Sequence, residues 1–180
     1  IDGGTYAACT ATWSTPPLVD GPHTLAVRAV DAAGNVDATP ATHNWTIDTA
    51  VPDTAITTAE PDPTNDPTGD FVFSSTKAGS TFECSLDGGA FAACTATWST
   101  PSLTDGSHTL AVRARDSSNN VDPTPATYTW RVDTIAPATT IATAEPSPTN
   151  DPTGDFTFTS DDGAATFECS VDGAAFAACP

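Results

Sequence analysis

The amino-acid sequence predicts an all-β chain of tandem β-sandwich domains, each about 85 residues long and each with a disulfide across one hairpin. Three observations lead to this fold class. Apolar and polar residues alternate with a period of two, as in half-buried strands, and no window has the period of a helix. The sequence also repeats itself: a shift of 85 positions aligns 95 residue pairs, of which 64 are identical. Such a fixed period indicates an array of like domains.

The most distinctive element of the repeat is a hairpin that runs from Thr81 to Cys94. The run T-F-E-C-S-L alternates apolar and polar residues, and Asp87-Gly88-Gly89 follows it. Glycine accepts the positive φ angles that tight hairpin turns need. Folding back at this turn places Cys94 opposite Cys84 or one step from it, within disulfide reach. The sequence leaves two loops open, one of three residues and one of two residues with a bulge.

The cysteines recur with the repeat. Cys169 and Cys179 have the same ten-residue spacing as Cys84 and Cys94, and Cys9 is the counterpart of the second cysteine of each pair. We therefore predict the pairs Cys84–Cys94 and Cys169–Cys179, and a partner for Cys9 just before Ile1 in a parent chain. A zinc site would need a second cysteine or histidine pair nearby, and the sequence has none. Paired cysteines indicate an oxidising location, extracellular or at the cell surface.

The repeat divides the chain into three predicted domains. Residues 1–50 are the C-terminal half of one repeat, 51–135 a complete repeat, and 136–180 the N-terminal half of the next. About seven short strands separated by turn signals read as a β-sandwich in the complete repeat. Alternation predicts its core as Phe71, Phe73, Phe82, Trp98, Leu103, Leu110, Val112, Val121, Tyr128, Trp130 and Val132. By the same pattern, Trp13 and Trp45 of the first half repeat face the core.

The charge of the chain excludes several partners. Its formal net charge is −18, which argues against nucleic acid and against anionic membrane surfaces. No apolar run approaches the roughly 20 residues of a membrane-spanning helix. The predicted partners are instead neighbouring repeats arranged end to end, and other copies of the chain in a fibre.

The motif set resembles a known family. The runs F-E-C-S-L-D-G-G-A-F-A-A-C, D-G-S-H-T-L-A-V-R-A-R-D, N-V-D-P-T-P-A-T-Y-T-W and V-D-T-I-A-P look like the bacterial Ig-like repeats of very large secreted and surface proteins. The resemblance covers the whole chain. It implies an Ig-like sandwich, a tandem arrangement, and a role as stalk, adhesin arm or matrix fibre. One hallmark of antibody domains is missing, because their cysteines lie far apart and bridge the two sheets.

Acidic loops form the one candidate metal site in the sequence. Calcium takes six to eight oxygen ligands, often from such loops, whereas aspartate and asparagine also form ordinary turns. We keep both interpretations, turn formation and a structural calcium ion at the domain junction, and expect no other cofactor. The candidate ligands fall into two repeated sets, Asp31, Asn35, Asp37 and Asp48 in one repeat and Asp116, Asn120, Asp122 and Asp133 in the next.

Catalytic chemistry is not expected. The two recurring histidines, His23 and His108, each precede a strand and are predicted to pack or bond locally. Glu83 and Glu168 alternate with inward cysteines, so both are expected to face solvent rather than a cleft of the kind that a paired-carboxylate hydrolase needs. Two function classes remain: a structural module of an extracellular filament, stalk or fibre, and an adhesin whose loops recognise a carbohydrate or a host protein. Near-identity between the copies favours the structural module.

Overall fold

A computed structural model describes residues 1–179 and shows an all-β chain. None of the described residues belongs to a helix that could cross a membrane. The alternating residues found in the sequence form thirteen strands: β1 Gly21–Val27, β2 Ala41–Ile47, β3 Thr54–Thr58, β4 Asp70–Ser75, β5 Thr81–Leu86, β6 Ala92–Cys94, β7 Thr97–Ser99, β8 Gly106–Arg115, β9 Ala126–Val132, β10 Thr139–Thr143, β11 Thr157–Ser160, β12 Glu168–Cys169 and β13 Ala177–Ala178.

Residues 54–132 form two antiparallel sheets. One has the strand order β3-β4-β7 and the other β6-β5-β8-β9. β8 is one of the two central strands of the larger sheet, with Cys84 opposite Val112 on one side and Trp130 opposite His108 on the other. The two sheets pack against each other through aromatic rings: Phe73 of β4 lies 5.8 Å from Phe82 of β5, and Phe71 lies 5.1 Å from Trp130 of β9. This two-layer arrangement fits a β-sandwich.

Most of the core predicted by alternation is buried. The fully buried apolar side chains come from both sheets, with Trp98, Leu103 and Tyr128 packed at the edge of the cluster. Along β8, Leu110, Val112 and Ala114 are all inaccessible to solvent and alternate with the less buried Thr109, Ala111 and Arg113. The buried set is Phe71, Phe73, Phe82, Cys84, Leu110, Val112, Ala114, Trp130 and Val132.

The hairpin has a register that the sequence did not predict. A two-residue turn is present, since Asp87 and Gly88 both have positive φ and the Gly89 amide donates to the Leu86 carbonyl. The returning strand then contains one extra residue, so that Cys84 pairs with Ala92 and Cys94 lies opposite Phe82. The cysteines are therefore two register positions apart, neither opposite nor one step apart. This diagonal relation still allows a Cα–Cα distance of 5.8 Å.

The chain forms two compact units, residues 1–132 and 133–179. The first unit contains both the predicted half repeat 1–50 and nearly all of the predicted complete repeat 51–135. Within the half repeat, β1 pairs only with β2 among the described strands. Trp13, predicted to face the core, is 47% exposed. Its counterpart Trp98 packs on Phe71, for which residues 1–50 hold no equivalent.

The second unit, residues 133–179, corresponds in sequence to residues 48–94, 85 positions earlier. β10 pairs with β11, and β12 pairs with β13. Phe158 contacts Phe167 at 5.7 Å, which reproduces the contact between Phe73 and Phe82 in the complete repeat. Phe156, by contrast, is half-exposed where its counterpart Phe71 is buried.

Candidate functional site at the repeat junction

The junction between the half repeat 1–48 and the complete repeat is organised by Lys77, the single lysine of the chain. Its ammonium lies 2.7 and 2.8 Å from the two carboxylate oxygens of Asp48, at the end of the half repeat. It also donates to the carbonyl oxygen of Ala50 in the linker. A fourth contact, at 2.8 Å, joins it to Oδ2 of Asp116 in the complete repeat. One cation therefore connects the end of one repeat, the linker and a loop of the next.

Asn120 adds a second connection across the same junction. Its side-chain amide donates to the Asp48 carbonyl oxygen at 2.9 Å and to Oδ2 of Asp116, also at 2.9 Å. Oδ1 of Asp116 accepts from the backbone amides of Ser118 and Asn120. Every oxygen of this buried carboxylate is thus bonded, as a buried charge requires.

The electrostatics of the junction favour the charged forms of both partners. The hydrogen bond from Lys77, followed by that from Asn120, lowers the pKa of Asp116 to about 2, against a smaller opposing effect of burial. The hydrogen bonds to Asp116 and then to Asp48 raise the pKa of Lys77. The lowered pKa of Asp116 and the raised pKa of Lys77 widen the pH range in which both groups are charged and the ion pair persists.

The linker, residues 49–52, is held by hydrogen bonds at both ends and by the burial of its proline. Asp20 accepts hydrogen bonds from the amide and the hydroxyl of Thr49 at 3.1 and 2.9 Å. Pro52 is almost fully buried. The Asp53 amide donates to the Thr76 hydroxyl at 2.9 Å. A linker whose backbone and proline are held in this way has few free torsions between the two repeats.

The structure brings together only part of the predicted calcium set. Asp48, Asp116 and Asn120 meet at the junction, but a lysine ammonium lies between the two carboxylates. Asp122 is buried elsewhere in the repeat, where its Oδ1 accepts from the amide and hydroxyl of Thr124. Asp133 belongs to the second unit, where its carboxylate accepts from the Ile135 amide.

Three members of the other set of calcium candidates, Asp31, Asn35 and Asp37, form local turns. Oδ1 of Asp31 accepts from the amides of Ala33 and Asn35, and Asn35 donates its side-chain amide to Oδ2. Asp37 accepts from the amide and hydroxyl of Thr39. Among the residues that the structure describes, no group of three or more acidic, histidine or cysteine side chains is arranged to hold a metal ion. These aspartates act as turn residues.

The cysteines are paired within their hairpins. Cys84 is bonded to Cys94 and Cys169 to Cys179, each across ten residues. Cys9 is a free, exposed thiol in the described chain. Disulfides of this kind persist outside the reducing cytosol, so the structure fits a protein of a non-cytosolic compartment.

Each recurring histidine connects a hairpin turn to a strand. His108 is buried, with Nδ1 2.8 Å from Oδ2 of Asp87 and Nε2 2.8 Å from the Thr104 carbonyl oxygen. Both partners are acceptors, so the two hydrogen bonds are complete only when both ring nitrogens carry a proton, in the imidazolium form. The pairing with Asp87, and then with the carbonyl, raises the pKa of His108. His23 has the same environment, with Asp2 and the Val19 carbonyl as its partners.

Glu83 differs from its prediction as a purely solvent-facing residue. Its side chain is only 22% exposed and forms ion pairs with Arg113 at 2.8 Å and Arg115 at 3.0 Å. Those two arginines lie on the neighbouring strand β8, so the pairs support the β5–β8 ladder. Glu168, the counterpart in the second unit, is exposed as predicted.

Sequence reasoning missed Lys77 as a junction residue. Its contacts with Asp48 and Asp116 span 29 and 39 positions, so no local motif announces them. The usable signal was its rarity: one lysine stands among 23 acidic residues. The aligned position in the next repeat is Asp162, so this lysine is not a constant of the repeat.

Neither the models of known protein families nor the curated proteins contain a match for this chain. Three features characterise the molecule: the 85-residue repeat, the disulfide in the hairpin, and the Lys77 junction.

Proposed function

We propose that this chain is a structural module of an extracellular filament, stalk or matrix fibre, built from tandem Ig-like sandwich repeats that lie end to end. The observation that carries the proposal is the Lys77 junction. A connection that joins Asp48, the Ala50 carbonyl and Asp116 through one ammonium restricts the linker between two repeats. Restricted linkers are what a stiff array requires, whereas free linkers serve modules that must reorient.

The composition of the repeat supports the same role. Eight of the nine buried core residues of the complete repeat, and both of its cysteines, have an identical counterpart 85 positions away, as expected for a module whose role is structural. The strong negative charge would keep neighbouring fibres apart at low ionic strength. The hairpin disulfide compensates for a small core, since a domain of this size buries only roughly 60–65% of its surface. We propose no catalytic role, and neighbouring repeats as the principal partners.

The axial spacing tests this proposal. Chains with two, four and six tandem copies of residues 51–135 should gain about 35–45 Å of maximum dimension per added repeat in small-angle X-ray scattering, which is the length of a sandwich of seven-residue strands with its loops. The same series with Lys77→Ala in every copy should gain less per repeat, because the linkers bend. A maximum dimension that grows as that of a compact globule, or a series unaffected by Lys77→Ala, would contradict the proposal.

The location is tested separately. Peptide mapping without reduction, applied to the protein isolated from its source, should show the Cys84–Cys94 and Cys169–Cys179 links together with recovery of the protein outside the cells. Free thiols at these four positions would contradict an extracellular location.

A further inference from the structure

The last strand of the complete repeat, β9, is bonded to a segment near the beginning of the same repeat. Thr64 and Val132 form a parallel bridge, in contrast to the antiparallel ladders within both sheets. The Thr64 amide donates to the Arg131 carbonyl oxygen at 2.9 Å. We call residues 60–64 the clamp segment. Its contact with β9 joins the part of the chain that enters the repeat to the part that leaves it.

Two further hydrogen bonds join the clamp segment to β9. The Arg131 amide donates to Oδ1 of Asp62 at 2.9 Å, so this carboxylate takes the place of a strand carbonyl. The Tyr128 hydroxyl donates to the Glu60 carbonyl oxygen at 2.7 Å. The clamp segment is not a regular strand, yet it is attached to β9 at its beginning, in its middle and at its end.

A buried carboxylate braces the clamp segment. Glu60 is 9% exposed, and its Oε1 accepts from the Thr64 hydroxyl at 2.8 Å. Its Oε2 accepts from the amide of Asp70, the first residue of β4, at 3.2 Å, so the brace reaches the smaller sheet. The brace recurs 85 positions later, where Oε1 of Glu145 accepts from the Thr149 hydroxyl at 2.9 Å. The shape of the clamp segment is therefore a property of the repeat.

A parallel bridge between the two ends of a repeat has a mechanical consequence. Tension along the chain pulls the clamp segment from its N-terminal side and β9 from its C-terminal side. Because Thr64 and Val132 run in the same direction, these two pulls slide one segment along the other. Hydrogen bonds between neighbouring segments lie across the direction of sliding. The bonds between the clamp segment and β9 are therefore strained together, in shear, rather than one after another.

The strand through which tension enters the repeat is attached to both sheets. β3 forms an antiparallel ladder with β4 of the smaller sheet. Thr54, the first residue of β3, is buried, and its Oγ1 accepts from the amide of Ala114 in β8 at 2.8 Å. β3 therefore cannot leave the smaller sheet without also breaking a bond to the larger one.

We propose that the complete repeat is a tension-bearing element, in which the clamp segment and β9 form a mechanical clamp that delays unfolding when the chain is pulled from its two ends. The inference rests on the proposed function, since a stalk or filament carries tension along its chain. It goes further by assigning the load to the bonds made by Asp62, Thr64 and Tyr128. A stiff array can lack a clamp and a flexible array can contain one, so the two proposals can fail separately.

Single-molecule force spectroscopy of the full chain, held through tags at its two termini, tests the proposal. The hairpin disulfide identifies the unfolding event of the complete repeat. Cys84–Cys94 joins β5 to β6, away from the clamp, and withholds ten residues from extension. In the variant Cys84→Ala with Cys94→Ala, the extension released by that event should grow by roughly 35 Å, because an extended residue spans about 3.3–3.6 Å.

Two variants weaken the clamp in different ways. Asp62→Ala removes the acceptor of the Arg131 amide, and Tyr128→Phe removes a hydroxyl but keeps the ring in place. Forced unfolding is governed by the unfolding rate. Each variant should unfold several-fold faster than the parent at the same constant force, because fewer bonds share the load. Asp62→Asn keeps an oxygen acceptor and should unfold at close to the rate of the parent.

Asp66→Ala is the matched control. Asp66 lies in the same loop as Asp62, and its Oδ1 also accepts a backbone amide, that of Thr68, together with the Thr68 hydroxyl. These bonds are local and do not reach β9, so their loss should leave the unfolding rate under force close to that of the parent. Urea unfolding measures the stability of each variant without force. Rates under force that are equal in the parent and the two clamp variants, or an acceleration of the same size in Asp66→Ala, would overturn the proposal.

Discussion

The ammonium of Lys77 lies 2.7 Å from Oδ1 of Asp48 and belongs to a different repeat from its partner. The same ammonium reaches the nearly buried carboxylate of Asp116, whose side chain is 3% exposed. A buried carboxylate is costly without a partner, so the ion pair and the connection between repeats depend on each other. The geometry of the linker is thereby coupled to the stability of the loop that contains Asp116.

Lys77→Ala should loosen the linker. Removal of the ammonium leaves the Asp116 carboxylate without its cation and releases the Ala50 carbonyl oxygen. We expect limited proteolysis between residues 48 and 53 to become several-fold faster, because cleavage follows the population of the opened linker. Lys77→Arg keeps the charge and should recover part of the protection. Equal cleavage rates in the parent and the alanine variant would show that Lys77 does not restrain the linker.

Calcium should leave the melting temperature of the complete repeat unchanged in the parent chain. The position between Asp48 and Asp116 is occupied by the Lys77 ammonium, and a ligand that does not bind the folded state cannot stabilise it. The measurement is differential scanning calorimetry in excess calcium and in excess chelator. A higher melting temperature in calcium would instead support the acidic loops as ligands.

Removal of the hairpin disulfide should weaken the complete repeat. Cys84→Ala with Cys94→Ala opens a loop of ten residues, and loss of such a cross-link costs roughly 2–3 kcal/mol of the free energy of unfolding. Urea unfolding followed by tryptophan fluorescence measures this change, because Trp130 lies in the core. The matched pair Cys169→Ala with Cys179→Ala is the control and should leave this transition in place. A double variant as stable as the parent would assign the stability of the domain to its core alone.

His108 should make the stability of the complete repeat depend on pH. Its imidazolium donates to Asp87 and to the Thr104 carbonyl, and its pKa is raised in the folded state. A raised pKa contributes stability that is fully present below the unfolded value of 6.5 and is lost as the pH rises through the folded pKa. Urea unfolding should therefore give a higher free energy of unfolding at about pH 5.5 than at about pH 8.5, two values on either side of the unfolded pKa of about 6.5.

The variant Asp87→Asn provides the control for this pH dependence. It keeps a side-chain acceptor beside His108 but removes the negative charge, so the slope of stability against pH should become shallower. Burial of Asp87 favours its neutral form, yet the hydrogen bonds from His108 and the Thr109 amide outweigh it and lower the pKa of this carboxyl. A slope that is identical in both proteins would exclude the pair as its source.

The sequence predicted the features that depend on neighbouring residues, and it missed the hairpin register and the contacts between residues far apart in the chain. Period-two alternation located the β5 and β8 residues of the core, because each strand buries alternate side chains over a few positions. It did not give the hairpin register, since one extra residue after Gly89 shifts Cys94 opposite Phe82 without any change in composition. Lys77 escaped for another reason: its partners are brought near by the packing of two repeats, and a lysine in a loop has no pattern of its own.

The difference between local and long-range features also explains why Trp13 is exposed whereas its counterpart Trp98 packs against the core. The alternation around both residues is the same, so the sequence predicted the same environment for both. Burial depends on a strand from elsewhere in the repeat, namely β4 with Phe71, and residues 1–50 contain no such strand. Two identical local patterns therefore lead to different exposures.

Gly69→Ala tests the tight contact between the two sheets. A Cβ at Gly69 would lie 2.8 Å from Cε2 of Phe71 and 3.0 Å from Cζ2 of Trp130, two buried rings that pack edge to face. Neither ring can move away without disturbing the core, so we expect a loss of about 1–3 kcal/mol in the free energy of unfolding, as in other overpacked cores. Gly154→Ala is the matched control.

At Gly154 the new Cβ would also lie 2.8 Å from a ring, that of Phe156. This ring is half-exposed and can rotate into solvent, so the control should cost much less than the change at Gly69. Urea unfolding of both variants measures the two costs side by side. Because the two glycines occupy the same position of the repeat, the difference between them isolates the contribution of Trp130 and the second sheet. Equal losses at the two positions would mean that the backbone at this turn, rather than the ring contact, requires glycine.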